Sequence, residues 1–148
     1  MKKNNHILWS IVVASFLGAL LSLYLLITHY TTSTTVCNVG GAINCDLVNR
    51  GPFGEILGIP VAGIGVLGYL LLGGIAFALV KYKNNKENLV HILHKGATLG
   101  FLFSLWLLYA ELFIIFAVCP FCMISLLLIT IITTLAWVVD PNGEHYNS

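Results

Sequence analysis

Apolar positions in this chain come in long blocks instead of the alternation of a half-buried strand. Four stretches stand out: Ile7–Ile27 (21 residues), Ile59–Val80 (22), Gly96–Val118 (23) and Pro120–Val139 (20), with Glu111 the only formally charged residue among them. A bilayer core of about 30 Å takes about 20 apolar residues in helical form. Backbone polar groups in lipid must pair within the segment, which makes helices the natural reading of blocks this long. The pattern predicts an all-α integral membrane protein. One domain over residues 1–148 holds four transmembrane helices, joined by an outer loop (28–58), a cytoplasmic loop (81–95) and a tight turn at 119. Lys2 and Lys3 precede the first block as they would in a signal peptide. An apolar signal region is only about 7–15 residues long and ends in small residues, so the 21-residue block followed by Thr28-His29-Tyr30 reads as a retained helix.

The connecting segments carry their own patterns. Asp46 to Gly58 is too polar to span and too apolar for a free linker; Leu47, Val48, Phe53, Ile56 and Leu57 predict a short segment capping the outer end of the bundle. The second block holds Gly63, Gly65, Gly68, Gly73 and Gly74. Small residues let helices approach closely in lipid, and some of these glycines leave space for a flat ring. His91 and His94 read as solvated residues near the inner surface, and Trp9, Tyr24, Tyr30, Tyr82, Trp137 and Tyr146 as interfacial anchors.

Composition narrows the class. Hydrophobic residues make up 58% and charged residues 9%, against about 45–50% and about 25% in soluble domains, and mean hydropathy is +0.92. A soluble globular domain and a disordered chain are excluded, and a net charge of +1 gives no nucleic-acid footprint. Charge also orients the chain. Lys2, Lys3, Lys81, Lys83, Lys86 and Lys95 fall on one side of the predicted spans, and only Arg50 falls on the other. The lysine-rich side is expected in the cytoplasm, with both termini inside and all four cysteines (Cys37, Cys45, Cys119, Cys122) on the outer face. That side is the oxidising one, where disulfides persist.

Cys119-Pro120-Phe121-Cys122 opens the fourth helix. Proline suits the first helical position, which makes Cys119 the N-cap and Cys122 the third residue. A helix start favours a thiolate, and with no Lys or Arg nearby any depression rests on the helix end alone, opposed by burial. A static disulfide here closes too small a loop to restrain the unfolded chain much, so C-x-x-C reads as redox-active. Cys37 and Cys45 flank Gly40 and Gly41, which let the loop fold back. A static disulfide is one reading of this pair; another is an exchange partner for the C-x-x-C. Four-cysteine zinc ligation is disfavoured by the wide first spacing. With no haem, flavin or nucleotide motif, the economical acceptor for two electrons is a lipid-soluble quinone (ubiquinone or menaquinone).

The chain resembles the vitamin K epoxide reductase family, particularly its bacterial and archaeal members, from about Ile11 to Val138. The likeness rests on the Cys37/Cys45 pair, on Gly58-Ile59-Pro60, on Leu108-Tyr109-Ala110-Glu111-Leu112-Phe113 and on Cys119-Pro120-Phe121-Cys122. The spaced pair comes first; the DsbB-type oxidases carry C-x-x-C first. The resemblance implies a helical bundle around a quinone in a prokaryotic cytoplasmic membrane. It places Cys122 beside the quinone ring, Cys119 as its disulfide partner, Cys45 in exchange with Cys119, and Cys37 meeting a thioredoxin-like protein. That partner is expected to be separate, since the sequence ends at Ser148. Gly51 stands where relatives usually have Ser or Thr, and Leu126 where animal members have Tyr. Both departures fit a quinone reductase that drives disulfide formation in exported proteins better than they fit epoxide reduction. The alternatives are a vitamin K epoxide or quinone reductase without a folding role, and a non-enzymatic bundle with static disulfides.

The ring-binding candidates are Phe53, Ile56, Leu57, Trp106, Tyr109, Phe113 and Phe121. Glu111 joins them, since carboxylates inside a span are functional candidates. Its plainer role is to tie the third helix to a neighbouring Tyr or Ser.

Overall fold

The computed structural model describes residues 2–31, 36–37, 40–82 and 86–139; Lys83 and Tyr146 lie outside them. Helix α1 runs Lys2–Tyr30, the short α2 Cys45–Asn49, α3 Val61–Lys81, α4 Lys86–Ala110 and α5 Pro120–Val138, with a two-stranded hairpin of β1 (Glu55–Ile56) and β2 (Ile59–Pro60) before α3. Helix α4 continues into a π-helical turn, Glu111–Ile115. Helices α1, α3, α4 with its π turn, and α5 are each long and apolar enough to cross a membrane.

Small residues set the α1–α3 contact. Gly65 faces Ser22 and Gly73 faces Ser15, so a side chain on either glycine would press on the facing serine. Gly18 lies under the Tyr69 ring, whose hydroxyl bonds Ser125 on α5 at 2.7 Å. Ile11, Ala76, Leu93, Ala97, Ile132 and Ala136 form the fully enclosed part of the bundle core. A second cluster at the other end holds Cys37, Cys45, Val48, Ala117 and Cys119.

Helix α4 begins at Lys86 and not at Gly96, where its apolar block starts. The segment Lys86–Lys95 is amphipathic: Val90, Leu93 and Ala97 are buried at helical spacing, while average hydropathy registers mainly the polar residues between them. His94 is only partly solvated. Its Nε2 bonds the carbonyls of Ala136 (2.5 Å) and Val139 (3.1 Å), and its ring stacks on Trp137 at 4.9 Å. It closes the C-terminal end of α5, where carbonyls lack helical partners.

The segment after Cys45 caps the bundle. Asn44 Oδ1 accepts the Leu47 N–H at 2.9 Å and so starts α2. Leu57 and Gly58 both have positive φ (53° and 81°), as a two-residue hairpin turn requires. Three side chains fasten this cap. His29 bridges the Asn49 carbonyl (3.0 Å) and Glu55 (2.8 Å), Asn49 Nδ2 donates to the Leu25 carbonyl (2.8 Å), and Arg50 donates to the carbonyls of Thr28 and Thr31 (2.6 Å each). Tyr24, expected as an interfacial anchor, instead packs edge-on against Phe121 and accepts the Val36 N–H.

Candidate redox site

Two chain breaks bring the cysteines together. After the π turn, Phe116 adopts the left-handed conformation (φ 55°) and the Ala117 N–H returns to the Glu111 carbonyl at 3.2 Å, which ends the helix. The freed backbone pairs with the loop between α1 and α2: Val118 N–H donates to Ala42 O at 2.7 Å and Asn44 N–H to Val118 O at 3.1 Å. Gly40 and Gly41, both at positive φ, turn the loop into that pairing. Cys45 thereby lands on Cys119.

Cys37 and Cys45 are joined by a disulfide, while Cys119 and Cys122 carry thiols. The Cys119 Sγ lies 2.9 Å from the Cys45 Sγ, and the sulfurs of Cys37, Cys45 and Cys119 all lie within 4.8 Å of one another. Cys45 and Cys119 are fully buried.

Cys119 is the N-cap of α5 with Pro120 at the first position, and the Cys122 N–H donates to its sulfur at 3.4 Å. Hydrogen bonding from the Cys122 side chain, helped by the N–H groups of Cys122 and Phe121, holds the Cys119 thiol below its ordinary range against burial and the Glu111 charge. The depression therefore does not rest on the helix end alone. Glu111 is 3% exposed, and its Oε2 accepts the Cys119 N–H at 3.3 Å. The expected Tyr or Ser partner of Glu111 is thus replaced by the C-x-x-C itself.

A cavity of about 660 Å³ opens below this cluster, between α3, α4, α5 and the cap. Cys122, Glu111 and Phe53 are on its wall, with Gly68, Leu108 and Leu126 among the other lining residues. Several ring-binding candidates lie elsewhere. Leu57 is 98% exposed at the hairpin tip. Tyr109 and Phe113 are exposed and pack on each other at 5.0 Å, facing outward. Phe121 is wedged between Tyr24 and the cysteine cluster, and Trp106 reaches the cavity only through its edge contact with Phe53. Sequence reasoning missed Asn49, Ser22 and Tyr69, which also line the cavity; for Ser22 and Tyr69 a polar group inside an apolar block was the available signal, and Asn49 gave none.

The size fits a flat ring with part of an apolar tail, since ligand cavities of about 300–1,000 Å³ are usual. Mostly apolar walls with a few polar groups among them suit a quinone in the same way.

A four-helix membrane bundle with a disulfide touching a buried C-x-x-C thiol defines a membrane protein of thiol redox chemistry. The sequence model of the vitamin K epoxide reductase family matches residues 9–137, and the chain belongs to that family. Its members are membrane oxidoreductases that in general use quinones and work with a thioredoxin-like partner. No curated protein matches the chain.

Proposed function

We propose that this protein is a quinone-linked thiol oxidoreductase that supports disulfide formation in exported proteins. A thioredoxin-like redox partner gives two electrons to the Cys37–Cys45 disulfide. Reduced Cys45 attacks Cys119 of a Cys119–Cys122 disulfide, forming a Cys45–Cys119 mixed disulfide and freeing the Cys122 thiol; Cys37 then closes on Cys45 and frees Cys119, which leaves the oxidised loop pair and the reduced C-x-x-C of the structure. Each exchange makes one S–S bond and breaks one. A bound quinone supplies the two-electron sink at the Cys122 end. The observation that carries the reading is the 2.9 Å approach of Cys119 to Cys45, with Cys122 on the wall of an apolar cavity.

The wall of that cavity favours a quinone over an epoxide substrate. Leu126, where animal relatives carry Tyr, leaves that position of the wall apolar, and the Tyr69 hydroxyl on the same wall is engaged by Ser125. At Gly51 a side chain would run into the Leu47 carbonyl, so the backbone there is shaped without one. The outer orientation is supported by Lys81 and Lys95, which sit toward the end of the bundle away from the cysteines.

The test is quinone-dependent oxidation of the protein's thiols, with the four cysteines changed to serine one at a time. Loss with Cys119→Ser and Cys122→Ser, and mixed-disulfide trapping with Cys37→Ser, is expected. A redox state that ignores quinone, with Cys122→Ser silent, overturns the reading in favour of a bundle with static disulfides.

A further inference from the structure

Resting on the thiol–quinone reading above, we infer that Glu111 is the proton-transfer residue of the site, taking the proton of the Cys122 thiol and handing it to the acceptor in the cavity. Oxidation of Cys119 and Cys122 to a disulfide forms one S–S bond and releases two electrons and two protons. A quinone that leaves as hydroquinone takes up both of each. The electrons have a path through Cys122; the protons need a carrier in a place without bulk water.

Among the described residues only one carboxyl lies on that wall, and its position follows from how α4 ends. The π turn begins at Glu111, and such turns recur at functional sites. The turn leaves the Glu111 carbonyl to Ala117 and the carboxyl to the first residues of the C-x-x-C. A carboxyl has about four acceptor positions, and the Cys119 N–H takes one of them. The same group lines the cavity together with Cys122. It is therefore anchored to the C-x-x-C and faces the space that the Cys122 thiol also faces, where the proton is consumed.

A glutamine at this position distinguishes proton transfer from simple bracing. It keeps the length and still accepts the Cys119 N–H, but it carries no exchangeable acid proton. The experiment uses the whole protein in lipid nanodiscs with a short-chain quinone, comparing wild type, Glu111→Gln and Glu111→Asp. For Glu111→Gln, kcat is expected to fall about 100-fold or more, the usual worth of a positioned acid or base. KM stays within about threefold, the pH dependence of kcat flattens, and Glu111→Asp recovers part of the rate.

A second readout needs no quinone. The infrared difference spectrum between the dithiol and chemically oxidised C-x-x-C is expected to contain a carboxyl band that vanishes in Glu111→Gln. Trapping of the Cys45–Cys119 mixed disulfide in a Cys37→Ser background checks that the variant keeps its fold and its exchange step. A Glu111→Gln protein that traps normally and keeps a wild-type kcat and pH profile overturns the inference, as does a wild-type difference spectrum without a carboxyl band. Failure of the wild type itself to oxidise its thiols with quinone overturns instead the reading on which the inference rests.

Discussion

Cys119 and Cys45 lie 74 residues apart in sequence and 2.9 Å apart at their sulfurs. That approach depends on the two backbone hydrogen bonds between Ala42–Asn44 and Val118, not on the cysteines alone. Removing the sulfur that Cys45 leaves behind should therefore freeze the exchange at its midpoint. In Cys37→Ser, Cys45 has no loop partner and a Cys45–Cys119 disulfide is expected as the main species by mass spectrometry of non-reduced peptides. Cys119→Ser is expected to lower turnover about a thousandfold or more, the scale of losing a covalent nucleophile.

The reactivity of Cys119 should extend to lower pH than that of an ordinary thiol. The thiolate is the reactive form and is present above the thiol's pKa. Hydrogen bonding from Cys122 lowers that pKa, so the thiolate persists as pH falls through the window just below the usual thiol range. In a Cys37→Ser/Cys45→Ser background, the alkylation rate of Cys119 against pH is expected to have its midpoint below about 8.5, the value of a free cysteine. Cys122→Ala removes the main donor and is expected to move the midpoint up. A midpoint that stays in place assigns the shift to the helix end.

The cap can be loosened without touching a sulfur. His29 joins the Asn49 carbonyl to Glu55 and is 92% enclosed at its side chain (8% exposed). His29→Ala removes two hydrogen bonds worth about 0.5–1.5 kcal/mol each. Amide exchange in Asp46–Leu57 is expected to speed up about tenfold or more while α3 and α5 keep their protection. Equal protection in variant and wild type would mean that Arg50 and Asn49 hold the cap by themselves.

Much of this architecture is legible in the sequence, for reasons particular residues make plain. The bilayer demands long apolar blocks, so four helices follow from hydropathy. Pro120 after Cys119 fixes the start of α5 to the residue, and the structure has Cys119 as its cap. Rotational phase was harder to read. Successive helical residues turn by about 100°, so Tyr109 and Phe113 share one face and Glu111 points nearly opposite to it. With Glu111 buried, both rings must face outward, and the two predictions could not hold together. The end of α4 was hidden because nothing in Glu111–Ile115 announces a π turn; its cause is the pairing of Val118 with a loop more than 70 residues earlier. The role of His94 was hidden likewise, since its partners are carbonyls at the far end of α5.

The glycines of α3 separate packing from ligand binding within one helix. At Gly73 an added Cβ would come 3.1 Å from the Ser15 Cβ, inside the close α1–α3 contact. Gly73→Leu is expected to cost about 1–3 kcal/mol, the range for overpacking a filled interior, seen as a lower midpoint in thermal or denaturant unfolding. Gly68 lies five residues earlier on the cavity wall, with nothing within 4 Å of an added Cβ. Gly68→Leu therefore projects into cavity space from a Cβ that presses on no neighbour. It is expected to leave the unfolding midpoint near that of wild type and to raise the KM for quinone about tenfold, while the Cys45–Cys119 exchange still traps in a Cys37→Ser background. If the two variants instead lose stability equally and bind quinone equally, the cavity beside Gly68 is not where the electron acceptor sits.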